Sequence, residues 1–233
     1  DNGENNEGRA YVYRGSPDGF GGQPAWIIEE DHAGAFFGAS VASAGDVNAD
    51  GYSDLIVGEP RWNGGQVNEG RAYLYLGADT GPAATANWTE ERNQAEEQFG
   101  SAVASAGDVN GDGRSDVIVG APFFDGSNQD EGRAWVFLGT GSGLAASAVW
   151  FADIDQDFTL LGKSVASAGD VNGDGYNDVI VGARWWGSAA LTGAGAAFIY
   201  LGSATGLASA PVATITAGQA YAQSGTSVAG IGD

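Results

Sequence analysis

FGSAVASAGDVNGDGRSDVIVGAP, residues 99–122, decides the fold, because the chain carries it three times. FGASVASAGDVNADGYSDLIVGEP at 37–60 and LGKSVASAGDVNGDGYNDVIVGAR at 161–184 superimpose on it, and Ser224-Gly225 opens a fourth copy. Counted at Asp46, Asp108, Asp170 and Asp233, the period is 62, 62 and then 63 residues. A second marker keeps the same phase, Glu7-Gly8-Arg9-Ala10, Glu69-Gly70-Arg71-Ala72 and Glu131-Gly132-Arg133-Ala134. A fixed period of this size, one supersecondary unit per copy, signals a propeller, a solenoid or an array.

Each copy reads as four strands. In the first copy these are the small, apolar Ser40–Gly45, the run Leu55–Val57, the aromatic-rich Ala72–Leu76 and a weaker segment around Asn87–Thr89. Four antiparallel strands make a propeller blade, and Ser, Ala and Gly in the first strand suit the crowded place nearest the axis. A repetitive β-sandwich is the alternative, but it does not call for small residues in one strand of every copy. The expectation is therefore an all-β propeller in a single segment, 1–233. It divides into a partial blade 1–36, blades 37–98, 99–160 and 161–223, and a partial blade 224–233. Strand one of the last copy has no strand two to follow it, so the ring is expected to be incomplete. A strand-supplying partner or a continuation of the same parent chain would complete it.

Between strands one and two lies Asp-x-Asn-x-Asp-Gly-x-x-Asp: Asp46, Asn48, Asp50, Asp54; Asp108, Asn110, Asp112, Asp116; Asp170, Asn172, Asp174, Asp178. Three carboxylates so close repel one another without a cation, and Ca²⁺ takes six to eight hard oxygen ligands. Three complete Ca²⁺ sites are expected. The carbonyls of Tyr52, Arg114 and Tyr176, at the seventh position, join the ligands by analogy with calcium loops of this spacing. An EF-hand is excluded by Val57, Val119 and Val181 at the twelfth position and by the absence of a following helical pattern.

Composition narrows the function classes. With 43% apolar residues in 233, the chain can bury a core, and 40 Gly suit many tight turns. There is no Cys, so metal rather than disulfide is the candidate staple. No apolar run approaches the ~20 residues of a membrane helix, so membrane insertion is not expected. A formal charge of −21 repels phosphate backbones, so nucleic acid is not expected as a partner.

Phe-Gly, then Gly-Asp-Val-Asn-Gly-Asp-Gly, then Val119-Gly120-Ala121-Pro122 resembles the FG-GAP repeats of integrin α-subunit propellers and their bacterial relatives, over essentially the whole chain. The resemblance implies a calcium-binding β-propeller with metal loops on one face and ligand contacts on the other. Gly58-Glu59-Pro60, Gly182-Ala183-Arg184 and Leu161 depart from the pattern, and they bear on blade packing rather than on the metal ligands.

Hairpin turns alternate between the ends of a blade, so the 2–3 and 4–1 loops share the face opposite the acidic loops. Trp62, Phe123, Phe124, Trp185 and Trp186 follow strand two there and are the candidate ligand contacts. Acids of the 4–1 region, among them Glu29, Glu90, Glu91, Glu97, Asp153 and Asp157, read as solvated charge on the same face. Glu69 and Arg71, two apart on a strand, read as a pair. No catalytic residues are assigned: His32 is the single His, Lys163 the single Lys, and neither stands beside a recognisable nucleophile. The reading is an extracellular or cell-surface adhesion module, lectin-like or protein-binding, that takes a glycan or protein ligand. A structural or assembly repeat of a larger surface protein is the alternative, and a part of a polysaccharide-active enzyme a further one.

Overall fold

The computed structural model describes Gly3, residues 5–17 and residues 19–230, so Asp233 of the fourth copy lies outside the described residues. Three four-stranded antiparallel sheets follow one another along the chain. The first comprises Ser40–Gly45, Asp54–Glu59, Arg71–Tyr75 and Trp88–Glu90. The second comprises Ala102–Gly107, Asp116–Ala121, Arg133–Phe137 and Trp150–Asp153, and the third Leu161–Gly169, Asp178–Ala183, Ala196–Tyr200 and Ala213–Ile215. Spatial order equals chain order in each sheet, the meander of a propeller blade. Ahead of them Ala10–Val12 pairs with Trp26–Ile28, the third and fourth strands of a preceding blade. The sheets do not close into a ring among the described residues, where no helix is long and apolar enough to cross a membrane.

The first strands are innermost, and those of consecutive blades pack on each other. Val103 of the second blade donates its N–H to Ser40 Oγ of the first at 2.9 Å. The second strand of the middle sheet is covered on both faces by neighbouring blades, so Asp116–Ala121 is buried at every position and reads as an unbroken apolar run rather than an alternating one. Apolar clusters fill each seam: Leu74, Phe99 and Val119 lie between the first and second blades, Val136, Leu161 and Val181 between the second and third.

The Phe-Gly and Gly-Ala-Pro signatures meet at these seams. Phe99 is wholly buried, edge-on to Trp135 at 5.4 Å. A Cβ on Gly120 would stand 2.0 Å from the carbonyl oxygen of Gly162 in the next blade. Only a residue without a side chain lets the two backbones come so close. Isolated parallel bridges, Gly70 to Phe99 and Gly132 to Leu161, stitch each blade to the next.

Two features differ from the sequence reading. Residues 226–230, where a further first strand is expected to begin, form no strand. The 3–4 connections also carry short ribbons, Gly15–Ser16 with Gly19–Phe20 and Gly139–Thr140 with Gly143–Leu144.

Candidate functional site

All three acidic loops lie between the first and second strands of their blades, at one end of the sheets. Each is closed by its own N–H groups. Asp108 Oδ1 accepts from Gly111 and Asp112 at 2.7 and 3.0 Å, and Oδ2 accepts from Gly113 at 2.8 Å. Asp170 takes the equivalent bonds from Gly173, Asp174 and Gly175, which hold its carboxyl below the usual aspartate range. Asp46 takes the N–H groups of Asp50 and Gly51. Asn48, Asn110 and Asn172 each accept the N–H two residues on and donate to the next carboxylate.

The last aspartate of each loop is a strut bonded to two backbone N–H groups. Asp116 accepts Val109 N–H on one oxygen and Gly139 N–H, from beyond strand three, on the other, both at 2.9 Å. Asp54 joins Val47 to Gly77, and Asp178 joins Val171 to Gly202, in the same way. Burial pushes the Asp116 carboxyl up to about 6, against the pull of those two N–H donors. Among the described residues no three acidic side chains converge on one point. The loop oxygens are nevertheless all hard donors, and each carboxylate keeps lone pairs that its internal bonds leave unused. That donor chemistry fits an oxygen-seeking divalent cation. The loops also join neighbouring blades: Ser115 N–H donates to the Asp46 carbonyl and Asn177 N–H to the Asp108 carbonyl, each at 2.9 Å.

At the opposite end the 2–3 and 4–1 loops bond to one another, Gln94 reaching Asp125 across the first seam and Gln156 reaching Gly187 across the next. The five aromatic candidates divide here. Trp62 is 8% exposed, so it is a packing residue and not an open contact. Its ring lies over Gly64, where a Cβ would collide with it, and the Arg71 guanidinium sits 3.4 Å from its centre. Phe124 is edge-on to Trp135 at 5.4 Å and Trp186 to Phe198 at 5.9 Å. The turn after strand two curls back onto strand three, which takes these three rings away from a ligand. Trp185, 37% exposed, stays open. It shares a cleft of about 600 Å³ between the second and third blades with Phe123, Phe158, Leu160, Asp130 and Asp157.

A family profile described as the FG-GAP repeat matches residues 37–75, 99–137 and 162–200, together half of the chain. The chain belongs to the FG-GAP repeat family. Among curated proteins it is 34% identical over 190 residues to integrin alpha pat-2 of Caenorhabditis briggsae, covering 76% of this chain and 15% of that protein. It is 36% identical over 163 residues to integrin alpha-5 of Xenopus laevis, covering 64% and 15%. With integrin alpha-IIb of Mus musculus the identity is 36% over 171 residues, covering 69% and 16%. The chain thus spans about 15% of the length of the relatives it matches.

Against the FG-GAP pattern, several polar residues take places the sequence reading did not assign. Glu69 does not pair with Arg71: its Oε1 accepts the N–H groups of Gly64, Gly65 and Gln66, while Arg71 binds Glu91. Arg133 clamps Asp153, and Arg9 clamps Glu29, in the same way. Glu59, which replaces the Ala of the FG-GAP signature, is wholly buried. It accepts the Tyr73 hydroxyl and lies 3.1 Å from His32 Nδ1, which commits the single His to a packing network. Burial raises the Glu59 carboxyl, and the Tyr73 bond and His32 oppose the shift. Glu97, expected in solvent, is also wholly buried. Neither of its oxygens has a hydrogen-bond partner, and burial pushes its carboxyl up to about 8. The 62-residue period offered a signal for both, because Glu97 falls where the sister copies have Ala35 and Thr159, and Glu59 where they have Ala121 and Ala183.

Proposed function

We propose that this chain is part of an extracellular, calcium-stabilised propeller that binds a glycan or protein ligand in adhesion, on the face opposite its acidic loops. The cleft between the second and third blades carries the reading, since it opens at the end of the sheets away from Asp108 and Asp170 and is built from loops that differ between copies. The likeness to integrin alpha subunits adds the adhesion class and the cell-surface setting.

Calcium serves the scaffold in this account. Asp46, Asn48, Asp50, Asp54 and the Tyr52 carbonyl would hold one ion, with Asp108, Asn110, Asp112, Asp116 and Arg114, and Asp170, Asn172, Asp174, Asp178 and Tyr176, in the same roles. A bound cation offsets two of the three carboxylate charges in each loop and stiffens the carbonyl bridges from Asp46 to Ser115 and from Asp108 to Asn177. No catalytic step is assigned, because His32 is engaged with buried Glu59 and the loop oxygens offer ligation rather than an open catalytic position.

Binding of the 233-residue chain to arrays of glycans and of extracellular proteins, in millimolar calcium, tests the reading. Trp185→Ala is expected to lose the ligand at an unchanged melting temperature. A ligand bound equally well by that variant would place recognition elsewhere.

A further inference from the structure

At the end of the sheets that carries the cleft, the chain sets its own arginines over aromatic rings and completes the arrangement with acids. Arg71 lies on Trp62 and binds Glu91. Arg133 lies 4.0 Å from the Phe124 ring and 4.4 Å from that of Phe151 and binds Asp153. Arg92 lies 5.1 Å from Trp135 and pairs with Glu90. The seam before the first blade also places a cation over a ring. There Arg61, the counterpart of Trp185 two copies earlier, stands 4.9 Å from the ring of Phe36, the counterpart of Leu160. Ring, cation and carboxylate recur together because the π face attracts a cation and a nearby acid neutralises it.

The cleft has the rings and the acids, with no Lys or Arg inside its lining. Phe123, Phe158 and Trp185 supply aromatic surface, Asp130 and Asp157 the negative charge, and Leu160 an apolar wall. Among the described residues no cationic side chain lies over Phe123 or Phe158, and Arg184 is 5.6 Å from the Trp185 ring but outside the lining. The parts are held in place before any ligand arrives. Phe158 sits at a φ of 60°, its N–H bound to the Gln129 carbonyl at 2.7 Å, and Trp185 N–H binds the Thr159 carbonyl at 3.1 Å. Asp157 Oδ1 is fixed by Gln129 N–H at 2.9 Å.

We propose that this cleft binds an organic cation, specifically a methylated or quaternary ammonium group, with Phe123, Phe158 and Trp185 as its walls and Asp130 and Asp157 as its counter-charges. The inference rests on the opposite-face reading and gives that site a ligand class. A quaternary ammonium is favoured over lysine or arginine by desolvation. An ammonium with N–H donors is strongly hydrated, and a guanidinium seeks a two-oxygen fork, whereas the methylated cation enters an apolar cleft with no donor to satisfy. Anionic ligands are excluded by the two aspartates. The volume lies within the range of small-ligand clefts, which leaves room for the group that carries the cation.

Titration of the chain with choline and tetramethylammonium, followed by tryptophan fluorescence and calorimetry in calcium-containing buffer, tests the proposal. The neutral isostere 3,3-dimethylbutan-1-ol, N-acetylarginine amide and a neutral disaccharide panel run alongside. Choline is expected to saturate the chain and to bind about 5-fold or more tighter than its neutral isostere, the ratio a desolvated cation–ring contact supplies. Trp185→Ala and the double variant D130N/D157N are each expected to weaken it by a similar factor, with melting temperatures unchanged. Choline bound no tighter than the isostere overturns the ammonium assignment. A disaccharide or arginine amide that saturates where choline does not, and is lost in Trp185→Ala, overturns the ligand class and leaves the face reading standing. Choline binding unaffected by Trp185→Ala overturns the cleft itself.

Discussion

Replacing Glu97 with Gln should make the protein more stable at pH 8 than the parent, by a margin that shrinks as the pH is lowered. Glu97 is wholly buried with both oxygens unpartnered. Its carboxyl rises from 4.5 to about 8 through burial, opposed by Arg92 and reinforced by Glu69. The folded state therefore keeps a proton that the unfolded chain releases. The stability this proton confers is complete below pH 4.5 and is lost as the pH rises towards 8, at up to about 1.4 kcal/mol per pH unit. Integrated from pH 5 to pH 8, the loss is roughly 3 kcal/mol. Gln is isosteric and does not titrate, so other ionisations cancel when the two proteins are compared. Urea unfolding of both at pH 5 and pH 8, in constant calcium, should show the stability difference shifting in favour of Glu97→Gln by that amount. A difference that stays constant across the interval would mean that Glu97 is ionised in the fold and partnered by Arg92, contrary to the geometry.

Four further substitutions test the packing. Gly120→Ala places a Cβ 2.0 Å from the Gly162 carbonyl oxygen, so it should cost ~3 kcal/mol or prevent folding, and a denaturant midpoint equal to the parent's would contradict the close approach. Ala49 holds a φ of 60° where the sister loops have Gly111 and Gly173, so Ala49→Gly should stabilise by about 0.5–1 kcal/mol through relief of that strain, and a lower midpoint would refute it. Trp62→Ala should cost about 3–5 kcal/mol because the ring is buried under Arg71, whereas Trp185→Ala should change stability by less than about 1 kcal/mol; equal costs would erase the distinction between packing and open rings.

The fold was legible because its signals recur in phase. Innermost strand Ser40–Gly45 matches the small-residue run residue for residue, and the other strands of the first blade fall within one or two positions of their expected places. The positions of the acidic loops were legible for the same reason, since Asp-x-Asn-x-Asp-Gly can only sit in a tight turn. What the pattern did not disclose is how side chains divide between solvent and seam. Trp62 and Trp185 both follow strand two, but the first falls onto Gly64 and beneath Arg71 while the second stays over a cleft. That difference depends on loop curvature, which hydrophobic periodicity does not encode. Glu97 misled a charge-run reading for a related reason: a carboxylate looks like surface until the period shows Ala or Thr in its place. The short ribbons of the 3–4 connections carried no alternating pattern long enough to be read.

The central claim, that the acidic loops hold the blades together through calcium, is tested most directly by measuring bound calcium and the melting curve on one preparation, before and after chelation. Elemental analysis should find three calcium ions per chain. At an affinity typical of extracellular sites, millimolar calcium stabilises by about 1.4 kcal/mol per ion, so excess chelator should lower the melting temperature by several degrees. No bound calcium, together with a melting curve that chelator leaves unmoved, would contradict the account.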